Sequence, residues 1–174
     1  MSISRAVPAD AHRLSALAIE TFPLACPPGT TQENIDQFCT AKLSPESFEA
    51  YLADPRILIL LAGHGDELLG YVMSVSGEPD DPVIAEAVSA RHTVEISKIY
   101  VRASAHGTGI AQQLMSVAVE NARAEGAQSV WLGVNQQNER ANTFYERNGF
   151  LVVGERRFQV GDSFEEDFVR EKVL

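Results

Sequence analysis

The sequence predicts one α/β domain, α+β in kind, spanning residues 1–174, and three observations carry that prediction. A chain of 174 residues with 45% hydrophobic content can build one continuous core and is short for two. Apolar residues recur at helical spacing in some segments and alternate or run continuously, strand-like, in others. Strands also feed directly into glycine-containing turns and then helices, the ordering of mixed α/β architectures.

Taken in order, residues 2–7 alternate polar and apolar side chains like a short strand, and Pro8, Ala9 and Asp10 supply a turn and a helix N-cap. Leu14, Leu17, Ala18 and Phe22 mark the buried face of a first helix, which Pro23, Pro27, Pro28 and Gly29 break. Ile35, Phe38 and Leu43 mark a second. Ser44 followed by Pro45 opens a third, with Phe48, Tyr51 and Leu52 buried and Asp54-Pro55 as its stop. Residues 57–62 and 68–75, separated by a turn at Gly63, His64, Gly65 and Asp66, read as an antiparallel hairpin. Residues 77–90 form an acidic, proline-bearing insertion with one or two helical turns. A strand over 93–101 runs into a glycine-rich turn, and Ala111, Leu114, Met115, Ala118 and Ala122 then repeat helically to Gly126. A strand over 129–134, a helix over 139–148 stopped by Gly149, a strand over 150–158, a Gly161-Asp162 turn and a final strand to Leu174 complete the chain.

Bulk properties narrow the function. With 14 Lys and Arg against 24 Asp and Glu, the formal charge of −10 repels phosphate backbones and anionic lipid, which argues against nucleic-acid and membrane partners. The longest apolar run, residues 57–62, is strand-sized, and no targeting segment is recognisable, so a cytoplasmic protein is expected. Cys26 and Cys39 have neither a partner histidine nor a CxxC spacing, so no metal site is expected.

The segment His106-Gly107-Thr108-Gly109-Ile110-Ala111 places two glycines and an alanine where backbone N–H groups can converge on a pyrophosphate at a helix N-terminus. It is no P-loop, because Ile110-Ala111 stands where Lys-Ser/Thr would be needed. It is no dinucleotide fingerprint either, since Gln112 occupies the third glycine position. The spacing alone leaves a plain tight turn open.

A second segment closes that gap. Leu132-Gly133-Val134-Asn135, Asn138-Glu139-Arg140-Ala141 and Phe144-Tyr145-Glu146-Arg147-Asn148-Gly149-Phe150 together resemble the second conserved motif of the GNAT N-acetyltransferase superfamily. Residues 106–111 then resemble its first motif, Gln/Arg-x-x-Gly-x-Gly/Ala, with His106 as the departure. The resemblance implies a central mixed, mostly antiparallel, splayed sheet of six to seven strands flanked by helices. It also implies transfer of an acetyl group from acetyl-CoA, the co-substrate, to a primary amine by direct attack. Main-chain groups of Ile99 and Val101, flanking Tyr100, would pair with pantetheine. Residues His106, Gly107, Thr108, Gly109, Ile110, Ala111 and Gln112 would cradle the pyrophosphate, and Asn138 would reach the pantetheine side.

An alkylammonium with a pKa near 10.4 is neutral in only about one molecule in 2,500 at pH 7, so a base is needed. Glu95 stands at the position that supplies it in the histone-acetylating branch, and is otherwise a solvated strand edge or an ion-pair partner. Tyr145 matches the family's general acid for the departing thiolate, whose pKa near 8.5 makes transfer uphill by about 2 kcal/mol. Ile19-Glu20-Thr21-Phe22, residues 95–101, residues 131–134 and the tail from Phe158 to Asp162 with Asp167 resemble bacterial spermidine/spermine N-acetyltransferases of the PaiA type. Acids for the remote amines of a polyamine are expected at Glu20, Glu33 and Asp36, on the helices that usually flank the acceptor cleft. Other amines, or cofactor sensing without turnover, are the competing readings. GNAT proteins often dimerise through their last strands, so a homodimer is an expectation.

Overall fold

The computed structural model describes residues 1–65 and 67–174, so Asp66 of the expected hairpin turn lies outside the described residues. Strand β1 (Ser2–Arg5) pairs antiparallel with β2 (Ile57–His64), and β2 pairs with β3 (Glu67–Ser76). β2 continues through His64, past the expected strand end at residue 62, and Gly65 adopts a positive φ of 55°. Strand β4 (Thr93–Val101) follows antiparallel, β5 (Ser129–Asn135) lies parallel to β4, and β7 (Ser163–Val173) and β6 (Leu151–Val160) complete the sheet. Among the described residues the order is β1-β2-β3-β4-β5-β7-β6, a seven-stranded mixed sheet with a single parallel contact.

Three helices cover one face. α1 (Ala11–Thr21) buries Ala11, Leu14, Leu17 and Ala18 and ends where Phe22-Pro23 tightens the chain into a 3₁₀ turn. α2 (Gln32–Lys42) is capped by Thr31, whose side chain accepts from the Asn34 N–H. α3 (Pro45–Ala53) starts as expected, with the Ser44 hydroxyl accepting from Ser47 N–H at 3.2 Å and Pro45 at the first helical position. Their apolar faces meet Ile59, Leu61, Tyr71 and Met73 of β2 and β3 in one core. Burying a leucine such as Leu14 there contributes about 2 kcal/mol. The opposite face carries α5 (Ile110–Ala124) and α6 (Glu139–Arg147), packed on Val94, Ile96, Val130 and Leu132. A small third cluster joins Ile84 of α4 (Pro82–Ala87) and Val88 to Trp131 and Val169.

Two irregularities open the sheet at its centre. The β3–β4 register slips between Met73, opposite Lys98, and Ser74, opposite Ile96, leaving Ser97 as an extra residue in β4. β4 and β5 pair only at Thr93↔Ser129, Val94↔Val130 and Glu95↔Trp131, whereas β5 pairs with β7 along its whole length. Beyond Glu95 the two parallel strands part. Because Arg102 N–H donates to Leu69 on β3 at 2.8 Å, strand alternation turns the main-chain groups of Ile99 and Val101 away from β3 and into the opening.

Candidate functional site

The loop after β4 is shaped for an anion. A 3₁₀ turn at Ala103–Ala105 leads to Gly107 and Gly109, with φ of 78° and 86°, and α5 begins. The first bond of that helix runs from Gln113 N–H to Gly109 O at 3.0 Å. Among the described residues the N–H groups of Gly107, Gly109, Ile110, Ala111 and Gln112 have no backbone partner. A Cβ on either glycine would meet nothing within 4 Å, so the cradle faces open space. Side chains stay out of it. Thr108 Oγ1 donates back to Ala105 O at 2.7 Å, and Gln112 Nε2 donates to Asn148 Oδ1 at 2.7 Å, so Gln112 offers the cradle its backbone alone.

His106, at the position where the motif has Gln or Arg, has both ring nitrogens engaged. Arg140 Nη1 lies 2.6 Å from His106 Nδ1, and His106 Nε2 lies 2.9 Å from Val101 O. Since arginine only donates, Nδ1 accepts and the proton on Nε2 goes to the Val101 carbonyl. His106 therefore occupies the carbonyl that closes β4. It also holds the exposed Arg140 guanidinium, which the sequence reading did not single out, at the edge of the loop. Asn138 is largely spent on structure: its Oδ1 accepts from Ala141 N–H at 3.0 Å as the N-cap of α6.

Tyr145 lies on the α5–α6 side, 9% exposed, edge-on to Phe144 and Phe150, and among the described residues no hydrogen bond reaches its hydroxyl. Burial pushes its pKa well above the ordinary phenol value, so it holds its proton at neutral pH. Tyr100, on β4, is raised likewise by burial, and its phenol also feels Tyr145, Cys26, Asp167 and Cys39.

The other side of the opening holds a charged cluster. Glu95 Oε1 is 4.0 Å from Arg156 Nη1, and Arg156 Nε donates to Asp167 Oδ2 at 3.3 Å. The guanidinium lies 5.1 Å from the Phe158 ring centre and 5.8 Å from that of Trp131. It rests on Gly133, where any Cβ would strike it. Burial raises the Glu95 carboxyl above its usual range, against the pull of Arg156 and Lys98. Burial likewise raises Asp167 to about 6, opposed by Arg156, and lowers Lys98 to about 8. A pocket of about 260 Å³ adjoins this cluster, lined by Glu78, Asp80, Glu95, Trp131, Arg156 and Phe158 among others.

The three acids expected to hold a remote amine stand elsewhere. Glu20 pairs with Arg102 at 3.1 Å, beside the loop that follows β4. Asp36 accepts from Gln32 Nε2 at 2.8 Å, and with Glu33 it lines a shallow groove formed by α2 alone. The pocket beside Glu95 draws its acids from the 77–90 insertion instead: Glu78, Asp80 and Asp81. The acidity of that insertion was the signal available in the sequence. Asp167, Arg156 and Gly133 were not assigned roles, because they meet only through the β5-β7-β6 pairing.

Residues 18–150 match the family model described as acetyltransferase (GNAT) family. The chain belongs to the GNAT acetyltransferase family. An uncharacterized N-acetyltransferase of Mycobacterium tuberculosis is 43% identical over 165 residues, covering 95% of this chain and 98% of the relative. Among solved structures, PaiA N-acetyltransferase from Thermoplasma acidophilum in complex with coenzyme A superposes with a TM-score of 0.77 at 22% identity over 100% of both chains. Ribosomal-protein-alanine N-acetyltransferase from Brucella melitensis does so with 0.65 at 23% identity, also over 100% of both. These structures share the fold.

The protein is thus a GNAT acyl-CoA-dependent acetyltransferase. Its open strand edge, unpaired loop N–H groups and clear space at Gly107 and Gly109 fit the thioester's pantetheine and pyrophosphate.

Proposed function

We propose that this GNAT enzyme transfers the acetyl group of acetyl-CoA to a primary amine by direct attack, and that the amine belongs to a polyamine such as spermidine or spermine. The observation that carries the reading is the placement of a proton-holding phenol, Tyr145, and a buried carboxylate cluster at Arg156 on opposite sides of one sheet opening. The amine approaches from the pocket, a carboxylate of the cluster removes its proton, and Tyr145 protonates the departing thiolate. Residues 106–112 hold the pyrophosphate through backbone N–H groups. Glu95, nominated from the sequence, is one of the two carboxylates that could serve.

Acidity supports the polyamine. A net charge of −10 draws long cations in, and Glu78, Asp80 and Asp81 line the pocket where a distal ammonium would lie. Glu20, Glu33 and Asp36 are then guides on the outer surface. Further carboxylates around the reacting nitrogen would hold it protonated, so Glu78, Asp80 and Asp81 serve the distal ammonium and stay at a distance from the attacking one. Absence of nucleic-acid and membrane partners and a cytoplasmic site of action belong to the same proposal. The test is thiol release from acetyl-CoA with spermidine, spermine, lysine and a short peptide as separate acceptors. Polyamines should give the highest kcat/KM. Turnover confined to lysine or the peptide would remove the polyamine while keeping acetyl transfer, and coenzyme A binding without any turnover would favour a sensing module.

A further inference from the structure

Register places one carboxylate level with the free strand edge and another where β4 and β5 still pair. Glu95 stands opposite Trp131, at the last position where β4 and β5 pair. Counting outward from there, with Ser97 as the extra residue, sets Tyr100 level with Asn135 across the opening. Asn135 pairs with Asp167 on β7. Asp167 therefore lies at the level of the free edge of Ile99 and Val101, and Glu95 lies deeper. Electrostatic neighbourhoods agree with this placement. The Tyr100 phenol feels both Tyr145 and Asp167, whereas Glu95 feels Arg156, Lys98 and Asp80. Tyr145 on the α6 side and Asp167 on β7 thus both act on the Tyr100 phenol.

We infer that Asp167 is the general base of the acetyl transfer and that Arg156, anchored between Asp167 and Glu95 on the bare surface of Gly133, is the positioning residue that orients it. The inference rests on the acetyl-transfer reading. Asp167 is 5% exposed, and its carboxyl titrates at about 6 rather than 3.8. Burial and the neighbouring Glu165 and Glu166 raise it, and Arg156 on β6 lowers it. Tyr100 on β4, and Glu95 through Arg156, are the other titratable groups that bear on it. At pH 7 it is mostly ionised, yet it is a stronger base than an exposed aspartate by about 100-fold.

Asp167 takes one proton from the ammonium and returns it to solvent after turnover. The neutral nitrogen attacks the thioester carbon, a C–N bond forms, and the carbonyl pair moves to oxygen. Collapse of the adduct breaks the C–S bond. Tyr145 gives its proton to the thiolate and is reprotonated by the second proton leaving nitrogen, yielding amide, coenzyme A thiol and one released proton.

The experiment is the pH profile of kcat/KM for thiol release, from pH 5 to 10, with the best acceptor of the panel. The wild-type profile should rise to about pH 6 and then level off. Asp167→Asn should lose at least about 100-fold at pH 7 and rise with unit slope toward the pKa of the amine, because only neutral amine then reacts. Asp167→Glu, which keeps the carboxylate, should retain a plateau. Glu95→Gln should lower the plateau without changing its shape. The assignment is overturned if Glu95→Gln acquires the unit slope while Asp167→Asn keeps the plateau. A ¹³C titration of the labelled Asp167 carboxyl needs no acceptor, and a value below about 4.5 would also overturn it. A wild-type enzyme that acetylates no amine would instead overturn the acetyl-transfer reading beneath it.

Discussion

A single missing side chain arranges the charged cluster. Arg156 reaches Asp167 and approaches Glu95 because Gly133 leaves bare backbone beneath its guanidinium. Gly133→Ala should push that guanidinium off β5 and lower kcat/KM roughly 10- to 100-fold through misplacement of the carboxylates. Since the displaced group is the end of a flexible side chain, stability should change by less than about 1 kcal/mol. Steady-state kinetics beside a thermal melt checks both, and unchanged kinetics would show that Gly133 does not position Arg156. Local signals made some residues legible. Tyr145 sits inside a spaced motif, and Gly107 and Gly109, which marked the loop in the sequence, adopt a positive φ. Arg156 and Asp167 carry no such signal, since each looks like one charge in an alternating strand until the β6–β7 register brings them face to face. Asn138 and Gln112 were legible as positions, yet their side chains serve a helix cap and a contact with Asn148.

Elements followed their sequence signals where the pattern was local. β4 has the expected bounds of 93–101, and α3 begins at its Ser-Pro cap. The splay was expected only from resemblance, because the Ser97 bulge and the short β4–β5 register are pairing events between distant segments. β6 is one edge of the sheet, opposite β1, and it exposes Leu151 by 66% and Val152 by 48%. An unpaired apolar edge is a surface that a second copy can cover, which supports the homodimer proposed for the last strands. Light scattering at tens of micromolar should give about twice the 19.0 kDa chain mass, and Leu151→Lys should restore the monomer. A monomeric wild type would end that proposal.

At the scale of the molecule, the site works against stability at neutral pH. The Asp167 carboxyl is raised from 3.8 to about 6 in the folded state, so the native protein holds that proton more tightly than the unfolded chain does. The resulting stabilisation is complete below the unfolded value and is lost as pH rises through about 6, a change on the order of 2–3 kcal/mol. The melting temperature of Asp167→Asn relative to wild type should therefore rise by roughly 5–10 °C between pH 4 and pH 7.5. A difference that stays constant across that window would mean that Asp167 is not raised.

The measurement that bears most directly on acetyl transfer through this opening compares Tyr145→Phe with wild type, in thiol release from acetyl-CoA with spermidine and in coenzyme A binding by calorimetry. The phenol contributes a proton and the ring contributes packing among Phe144 and Phe150, so the variant keeps the second and loses the first. We predict kcat lower by at least about tenfold, with coenzyme A affinity within about twofold of wild type. Equal kcat in the two proteins would contradict the account.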